Sequence, residues 1–360
     1  SQLLNTSVGQ RERIPQVFVQ QGKEASPSNP LSAGEIGSTN KLVYTLTGHT
    51  LADEGRPVVV PPPSYPEPLF RLAVHPKSRD DEERISQGLH RLAEEDPCFH
   101  FYRDEDTGEL IVAGTGDLHL QVILSRLRER YHVEVETRLP RIAYRETIRQ
   151  KAERQGRYKR QTGGRGQYGD VWLRLEPLPR GQGFEFVDAI VGGVVPRQYI
   201  PAVEKGVREA MQKGILAGYP VVDVRVTLYD GSHHPVDSSD LAFHIAGSLA
   251  FRAAAEAAGL VLLEPIMNVE VIVPEEYVGD ILGDLSGRRG RIQGTEVRGK
   301  RQVVLAQVPL AEMLNYATDL RSRTQGRGRY SMTFSHYEEV PPHLAERIIA
   351  EAKARQEQER

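Results

Sequence analysis

A run of ten residues, QTGGRGQYGD from Gln161 to Asp170, has the residue types and spacing to cradle a phosphate. Gly164, Gly166 and Gly169 spell G-x-G-x-x-G, and Asp188 follows at about the distance of a ribose-binding acid. That chemistry needs a buried strand before the glycines and a helix after them, whose N-terminus holds the pyrophosphate. The preceding RQGRYKRQ is too polar for a central strand. The following VWLRLEPL alternates Val171, Leu173 and Leu175 with Trp172, Arg174 and Glu176. Period two predicts a half-buried strand, so the glycines join a β-hairpin and the spacing of Asp188 is coincidence. No G-x-x-x-x-G-K-[ST] occurs: Gly22-Lys23 is followed by Glu24, and Gly299-Lys300 by Arg301, where Ser or Thr must stand.

Other reactive residues form no catalytic set. His233 and His234 are adjacent, a poor geometry for joint chelation, and no HExxH or Cys-rich cluster accompanies them, so no metal site is expected. Cys98 lies in a strand pattern and reads as core. His119 follows Asp117, the expected cap of a helix, and reads as a packing or interface residue. Asp237 or Ser238 is expected to cap a later helix, and Ser238 and Ser239 read as caps rather than nucleophiles. A single cysteine excludes an internal disulfide and makes a reducing cytosol the expected compartment. No run approaches the roughly 20 apolar residues of a membrane helix, and the first residues lack a signal-peptide core.

The charge is uneven. Although the net charge is −3, Lys151 to Arg180 holds eight basic residues against three acidic ones, and Gly287 to Arg301 six against one. Both islands surround glycines. The first places Lys159, Arg160, Gly163, Gly164, Arg165, Gly166, Gln167 and Tyr168 on one hairpin. A second loop, DGSHHPVDSS, adds Ser232, His233 and His234 before a helix start. Guanidinium groups for phosphates, close backbone amides, and an aromatic or imidazole ring for a base or ribose suit RNA. The residues alone also allow merely mobile loops, with Tyr168 packed at a strand start.

These loops need elements to hold them. VVVPPPSYPEP (Val58 to Pro68) is a stiff extended connector. Before it, short alternating runs read as an all-β piece. After it come strand LFRLAV, a helix from Ser78 to Glu95, strands FHFY and ELIVAG, helix LHLQVILSRLRERY and strand VEVETRL. That order is β-α-β-β-α-β, the split βαβ plan. It recurs from IMNVEVIV to YSMTFSHYEEV, and a charged amphipathic helix follows. Between the repeats stand the glycine hairpin, a helix from about Gln198 to Leu216, strand VVDVRVTLYDG, and a helix ending at Gly259.

YKRQTGGRGQYGDV, DGSHHPVDSSDLAFHIAGSLAF, LEPIMNVEVIVPEEYVGDILGDLSGRRGRI and YATDLRSRTQGRGRYSMTFSHYEEVP strongly resemble elongation factor G, the bacterial and organellar translocase. TGDLHLQVILSRLRERYHVEV and PRIAYRETI fit the same family, so the resemblance covers nearly the whole chain. It implies an α+β multidomain fold. Residues 1–65 would be the truncated end of β-barrel domain II, and 66–145 a ferredoxin-like domain III. Residues 146–263 would be domain IV, an α/β domain like ribosomal protein S5, 264–340 a ferredoxin-like domain V, and 341–360 a C-terminal helix. The GTP-binding domain, with its GTP and Mg²⁺, would precede these residues, leaving no cofactor and no catalytic site in this chain.

The implied partners are both ribosomal subunits, ribosomal RNA, and the tRNA–mRNA duplex in the A site, met by a cytoplasmic monomer with no membrane contact. The glycine hairpin and Asp230 to Asp237 would be the tip loops of domain IV, with His234 at the family's tip histidine. Arg288, Arg289 and Arg291 would contact large-subunit ribosomal RNA. His233 and Pro235 depart from the aromatic and the acidic or polar residue usual beside that histidine. A paralogue that splits ribosomes for recycling, and an RNA-binding protein with no GTPase, are the alternative readings.

Overall fold

The computed structural model describes residues 1–28, 30–161 and 166–358. The chain divides into two compact units, Ser1–Pro140 and Arg141–Arg360.

The first unit begins with β1 (Gln2–Asn5), β2 (Gln10–Arg13), β3 (Val17–Gln21), β4 (Glu24–Ser28), β5 (Ser38–Thr39) and β6 (Leu51–Ala52). They form two three-stranded sheets, ordered β2-β1-β6 and β4-β3-β5, and no closed barrel among the described residues. The long return toward β6 is held by polar contacts: the buried Glu12 carboxylate accepts from the Val43 and Tyr44 amides and the Thr45 hydroxyl. The proline-rich connector carries no regular element, as expected.

The split βαβ plan follows: β7 (Phe70–Pro76), α1 (Arg79–Glu95), β8 (His100–Arg103), β9 (Leu110–Gly114), α2 (Asp117–Tyr131) and β10 (Val135–Arg138). Its antiparallel sheet runs β10-β7-β9-β8. Ile85, Leu89 and Leu92, on one face of α1, are buried with Ala73, Val112, Leu120 and Leu127. Ser78 caps α1 by accepting from the Asp81 amide. Gly116, not Asp117, is the cap of α2; Asp117 is its first residue, where a carboxylate still favours the helix dipole. His119 accepts from the Thr115 amide at Nδ1 and donates from Nε2 to Asp96 at 2.9 Å, a structural role. Cys98 sits in the turn before β8, not in a strand; its amide donates to Asp96, and burial raises its thiol pKa.

The second unit contains β11 (Arg145–Ile148), β12 (Ala152–Arg160), β13 (Gln167–Pro177), β14 (Phe184–Asp188), α3 (Ile200–Lys213), β15 (Val224–Ser232), α4 (Asp240–Ala257), β16 (Leu260–Val273), α5 (Val278–Gly287), β17 (Arg291–Arg298), β18 (Arg301–Pro309), α6 (Tyr316–Arg323), β19 (Arg329–Glu339) and α7 (Pro342–Gln358). One sheet is ordered β12-β13-β15-β14, with only β14 parallel to its neighbour. Val171, Leu173 and Leu175 of β13 point into a core shared with α3 and α4, which includes Val203, Val207, Phe243 and Phe251. In the other sheet the 14-residue β16 pairs with β11, β18 and β19. The second split βαβ arrangement is therefore present, but the expected boundary between Leu263 and Glu264 falls inside one continuous strand.

Candidate nucleic-acid interface

The strands on either side of the glycine run form a β-hairpin pair. Strands β12 and β13 pair antiparallel from Ala152↔Leu175 to Arg160↔Gln167. Two glycines let α4 lie directly on this ribbon. A Cβ at Gly156 would stand 2.2 Å from the Ala246 carbonyl oxygen, and one at Gly169 2.5 Å from that of Ala242. Gly169, the last glycine of the G-x-G-x-x-G string, thus serves helix packing rather than phosphate approach. Among the described residues, strand β13 and not a helix follows Gly166, so the dinucleotide reading fails on geometry as well as on sequence. Gly163, Gly164 and Arg165 lie outside the described residues.

The second loop is tied to this hairpin by Asp237 and Ser238. The Gly166 amide donates to Asp237 Oδ1 at 3.0 Å, and the Tyr168 amide to the Asp237 carbonyl at 2.8 Å. Buried Ser238 accepts from the His234 amide and donates to the Tyr168 carbonyl, each at 2.9 Å. Ser239, one residue beyond the expected caps, caps α4 by accepting from the Ala242 amide at 3.2 Å. Three cap-competent residues stand in a row; the last starts the helix and the first two join the loops.

His234 Nδ1 accepts from the Val236 and Asp237 amides at 3.3 and 3.2 Å. A neutral ring so held carries its proton on Nε2, which makes that nitrogen a donor. The side chain is 51% exposed, and its ring lies 6.3 Å from that of Tyr168. His233 Nδ1 lies 3.2 Å from the Val194 carbonyl oxygen. The Tyr168 hydroxyl meets Ser232 Oγ at 2.7 Å, and Ser232 donates to Asp170 at 2.7 Å, so Ser232 and Tyr168 brace each other. Lys159 and Arg160 are exposed beside them, and Gln167 is half-buried. Lys159, Arg160, Gly166, Gln167, Tyr168, Ser232, His233 and His234 therefore gather at one end of the sheet.

The arginine turn differs. Arg288 donates to Asp284, to Asp319 at 2.6 Å and to the Glu312 carbonyl, with its guanidinium 5.0 Å from the Tyr316 ring centre. Arg289 forks onto the buried Glu264 carboxylate at 2.6 and 2.9 Å and reaches Glu312 at 3.0 Å. Its pKa is raised, chiefly by the hydrogen bond to Glu264. Both were expected to meet ribosomal RNA, but their donors are engaged within the chain, by the nearby Asp284 and by Glu264, Glu312 and Asp319, which are distant in sequence and fold against the turn. Arg291 pairs with Glu338 and stays exposed. Sequence reasoning also missed Asp237 as a tie; the Asp-Ser-Ser run was its only signal.

Three protein-family models match: "Elongation Factor G, domain III" over residues 65–139, "Elongation factor G, domain IV" over 140–259, and "Elongation factor G C-terminus" over 261–348. A crystal structure of a protein from Thermus thermophilus resembles the chain at 47% identity with a TM-score of 0.82. The match covers 98% of this chain and 53% of that one, so the chain spans about half of it. No helix among the described residues is long and apolar enough to cross a membrane.

Proposed function

The chain belongs to the elongation factor G family, and on that premise we propose that it is the ribosome-binding portion of a translational GTPase that promotes tRNA–mRNA translocation. The β12–β13 hairpin and the His234 loop form its working end and enter the decoding A site. One observation carries this assignment: the Asp237–Ser238 tie holds the two loops as a single end, with Lys159, Arg160 and His234 facing outward.

The action is mechanical. Lys159 and Arg160 meet RNA phosphates, and the outward Nε2–H of His234 donates to a phosphate or ribose oxygen. With its loop fixed at four backbone and side-chain contacts, the end resists return of the duplex instead of bending under it. GTP and Mg²⁺ would be bound by a part of the protein outside these residues and supply the energy for release. In the arginine turn, the exposed Arg291, paired with Glu338, would exchange that partner for a ribosomal RNA phosphate, while Arg288 and Arg289 shape the turn.

Ribosome-stimulated GTP hydrolysis and toeprinting of the full-length protein test the proposal. A forward shift of the toeprint by one codon is the expected outcome. Absence of both activities contradicts it. Pro235 favours a second reading. It removes an amide donor beside His234, where the family usually has an acidic or polar residue, and tips altered there suit a paralogue that splits ribosomes. A splitting assay with a partner release protein distinguishes the two.

A further inference from the structure

Arg291 is exposed but paired with Glu338, so a phosphate gains it only when that carboxylate is engaged by something else. The side chain able to engage it is His336. Its Nε2 lies 2.6 Å from Glu338 Oε1, the same oxygen that accepts from Arg291. Two donors therefore share one carboxylate oxygen, and one of them changes charge near neutral pH.

A β-bulge builds this arrangement. Ile266 of β16 faces His336 and Met267 faces Phe334, so Ser335 is the extra residue of β19. Bulges re-aim side chains, and Ser335 Oγ comes to lie 2.8 Å from His336 Nδ1. A neutral ring that donates to Glu338 from Nε2 must accept at Nδ1, and the Ser335 hydroxyl supplies that hydrogen. A protonated ring donates from both nitrogens, and the same hydroxyl oxygen then accepts. The ring can thus take up a proton with no heavy atom displaced. Gln307 donates to Ser335 at 3.4 Å and to Asn268 at 3.1 Å, which steadies the hydroxyl.

The charges around the ring are few. Glu338 lies on its own strand and Arg291 comes from β17. β16 brings Glu264, the cross-strand partner of Glu338, which Arg289 already forks. β18 brings the neutral Gln307, α6 meets this strand at the distant Tyr330, and Glu339 pairs with Arg149. Burial works to raise the Glu338 pKa, but its hydrogen bonds to His336 and Arg291 hold it below the usual value. The carboxylate therefore stays ionised through the range in which an imidazole titrates. A surface ion pair commonly contributes little to stability. This one differs because strengthening it frees a second cation.

We propose that His336 is a positioning residue for Arg291: protonation of the ring draws Glu338 to the imidazolium and releases the guanidinium to a ribosomal RNA phosphate. The inference rests on the reading of Arg291 as a phosphate contact, and adds that this contact tightens on mild acidification.

The salt dependence of ribosome binding by the full-length protein, at about pH 8 and about pH 6 on either side of imidazole titration, tests this. Each slope is compared with that of Arg291→Gln at the same pH, which cancels titration elsewhere. The wild-type excess is expected to be negligible at the higher pH and about 0.9, one phosphate contact, at the lower. Glu338→Gln carries that excess at both pH values, and His336→Gln at neither. A second readout needs no ribosome. In the 360-residue chain the Arg291 Nε NMR signal, identified by its loss in Arg291→Gln, moves on acidification toward its position in Glu338→Gln. In His336→Gln it stays in place. A pH-independent excess or an unmoved signal in the wild type overturns the exchange, and the phosphate reading stands if Glu338→Gln keeps its excess. No excess in Glu338→Gln at either pH overturns that reading, and the inference with it.

Discussion

His234 and Arg289 show how much a side chain's role depends on which of its atoms the fold already uses. The imidazole gives Nδ1 to two backbone amides and leaves Nε2 for a partner. Arg289 gives its fork to Glu264 and Glu312, although its backbone has the left-handed φ of +59°. That conformation costs a non-glycine residue about 1 kcal/mol, and the bidentate pair offsets it. Breaking such a pair leaves Glu264 buried without its cation. Arg289→Ala is therefore expected to lower unfolding free energy by about 3 kcal/mol, and Arg289→Gly by about 1 kcal/mol less, because glycine accepts the backbone. Urea denaturation measures both; equal losses for the two variants would remove the backbone argument. Residue type and loop chemistry make His234 and Tyr168 visible in the sequence. Asp284, four residues before Arg288, is a local partner, but the engagement of Arg289 by Glu264 and Glu312 and of Arg288 by Asp319 stays hidden there, because these lie 23 to 31 positions away.

At the scale of elements, the hairpin and its register follow from period-two alternation, which is local and therefore legible. The close seat of α4 is not local. It depends on Gly156 and Gly169 meeting the Ala246 and Ala242 carbonyls, a pairing no spacing rule predicts. Gly156→Ala should thus destabilise the second unit by about 2 kcal/mol or more, as overpacking against rigid backbone does; a neutral thermal melt would mean that α4 yields. Local capping chemistry sets the start of α4 too early, since Asp237, Ser238 and Ser239 all have it and only tertiary contacts select Ser239. The other two are free to join the loops. Asp237→Ala is expected to speed hydrogen exchange at the Gly166 amide, whose acceptor it removes, while amides in the middle of β13 keep their protection. Uniform acceleration across the strand would mean general loosening.

Within the second unit, α7 returns from the end of the chain to pack Ile348 and Ala352 against Ala217, Leu262 and Val340, with Tyr144 and Tyr219 alongside. Gln356 donates to the Ala217 carbonyl, and Glu146 fixes the same loop by accepting amides from Ile215, Leu216, Ala217 and Tyr219. The repeat of the split βαβ plan and the amphipathic character of this helix are visible in sequence. That β16 and α7 join the two expected domains into one unit is not, because it depends on contacts between residues far apart in the chain. Burial in this seam pushes Tyr144 up to about 12. An unfolded tyrosine near 10 releases its proton first, so the unfolded state binds fewer protons between those values and stability falls as pH rises from about 10 to 12. Ending the chain at Val340 should return Tyr144 toward 10, read by absorbance difference against Tyr144→Phe; an unmoved titration would place its burial elsewhere.

The tie between the two loops matters only if the end they form acts on RNA. The most direct test pairs the single-round translocation rate of full-length His234→Ala with its ribosome affinity. The rate is expected to fall about tenfold or more, the cost of a transition-state contact worth about 1.4 kcal/mol, with affinity nearly unchanged. An unchanged rate, or equal losses in rate and affinity, would contradict the account.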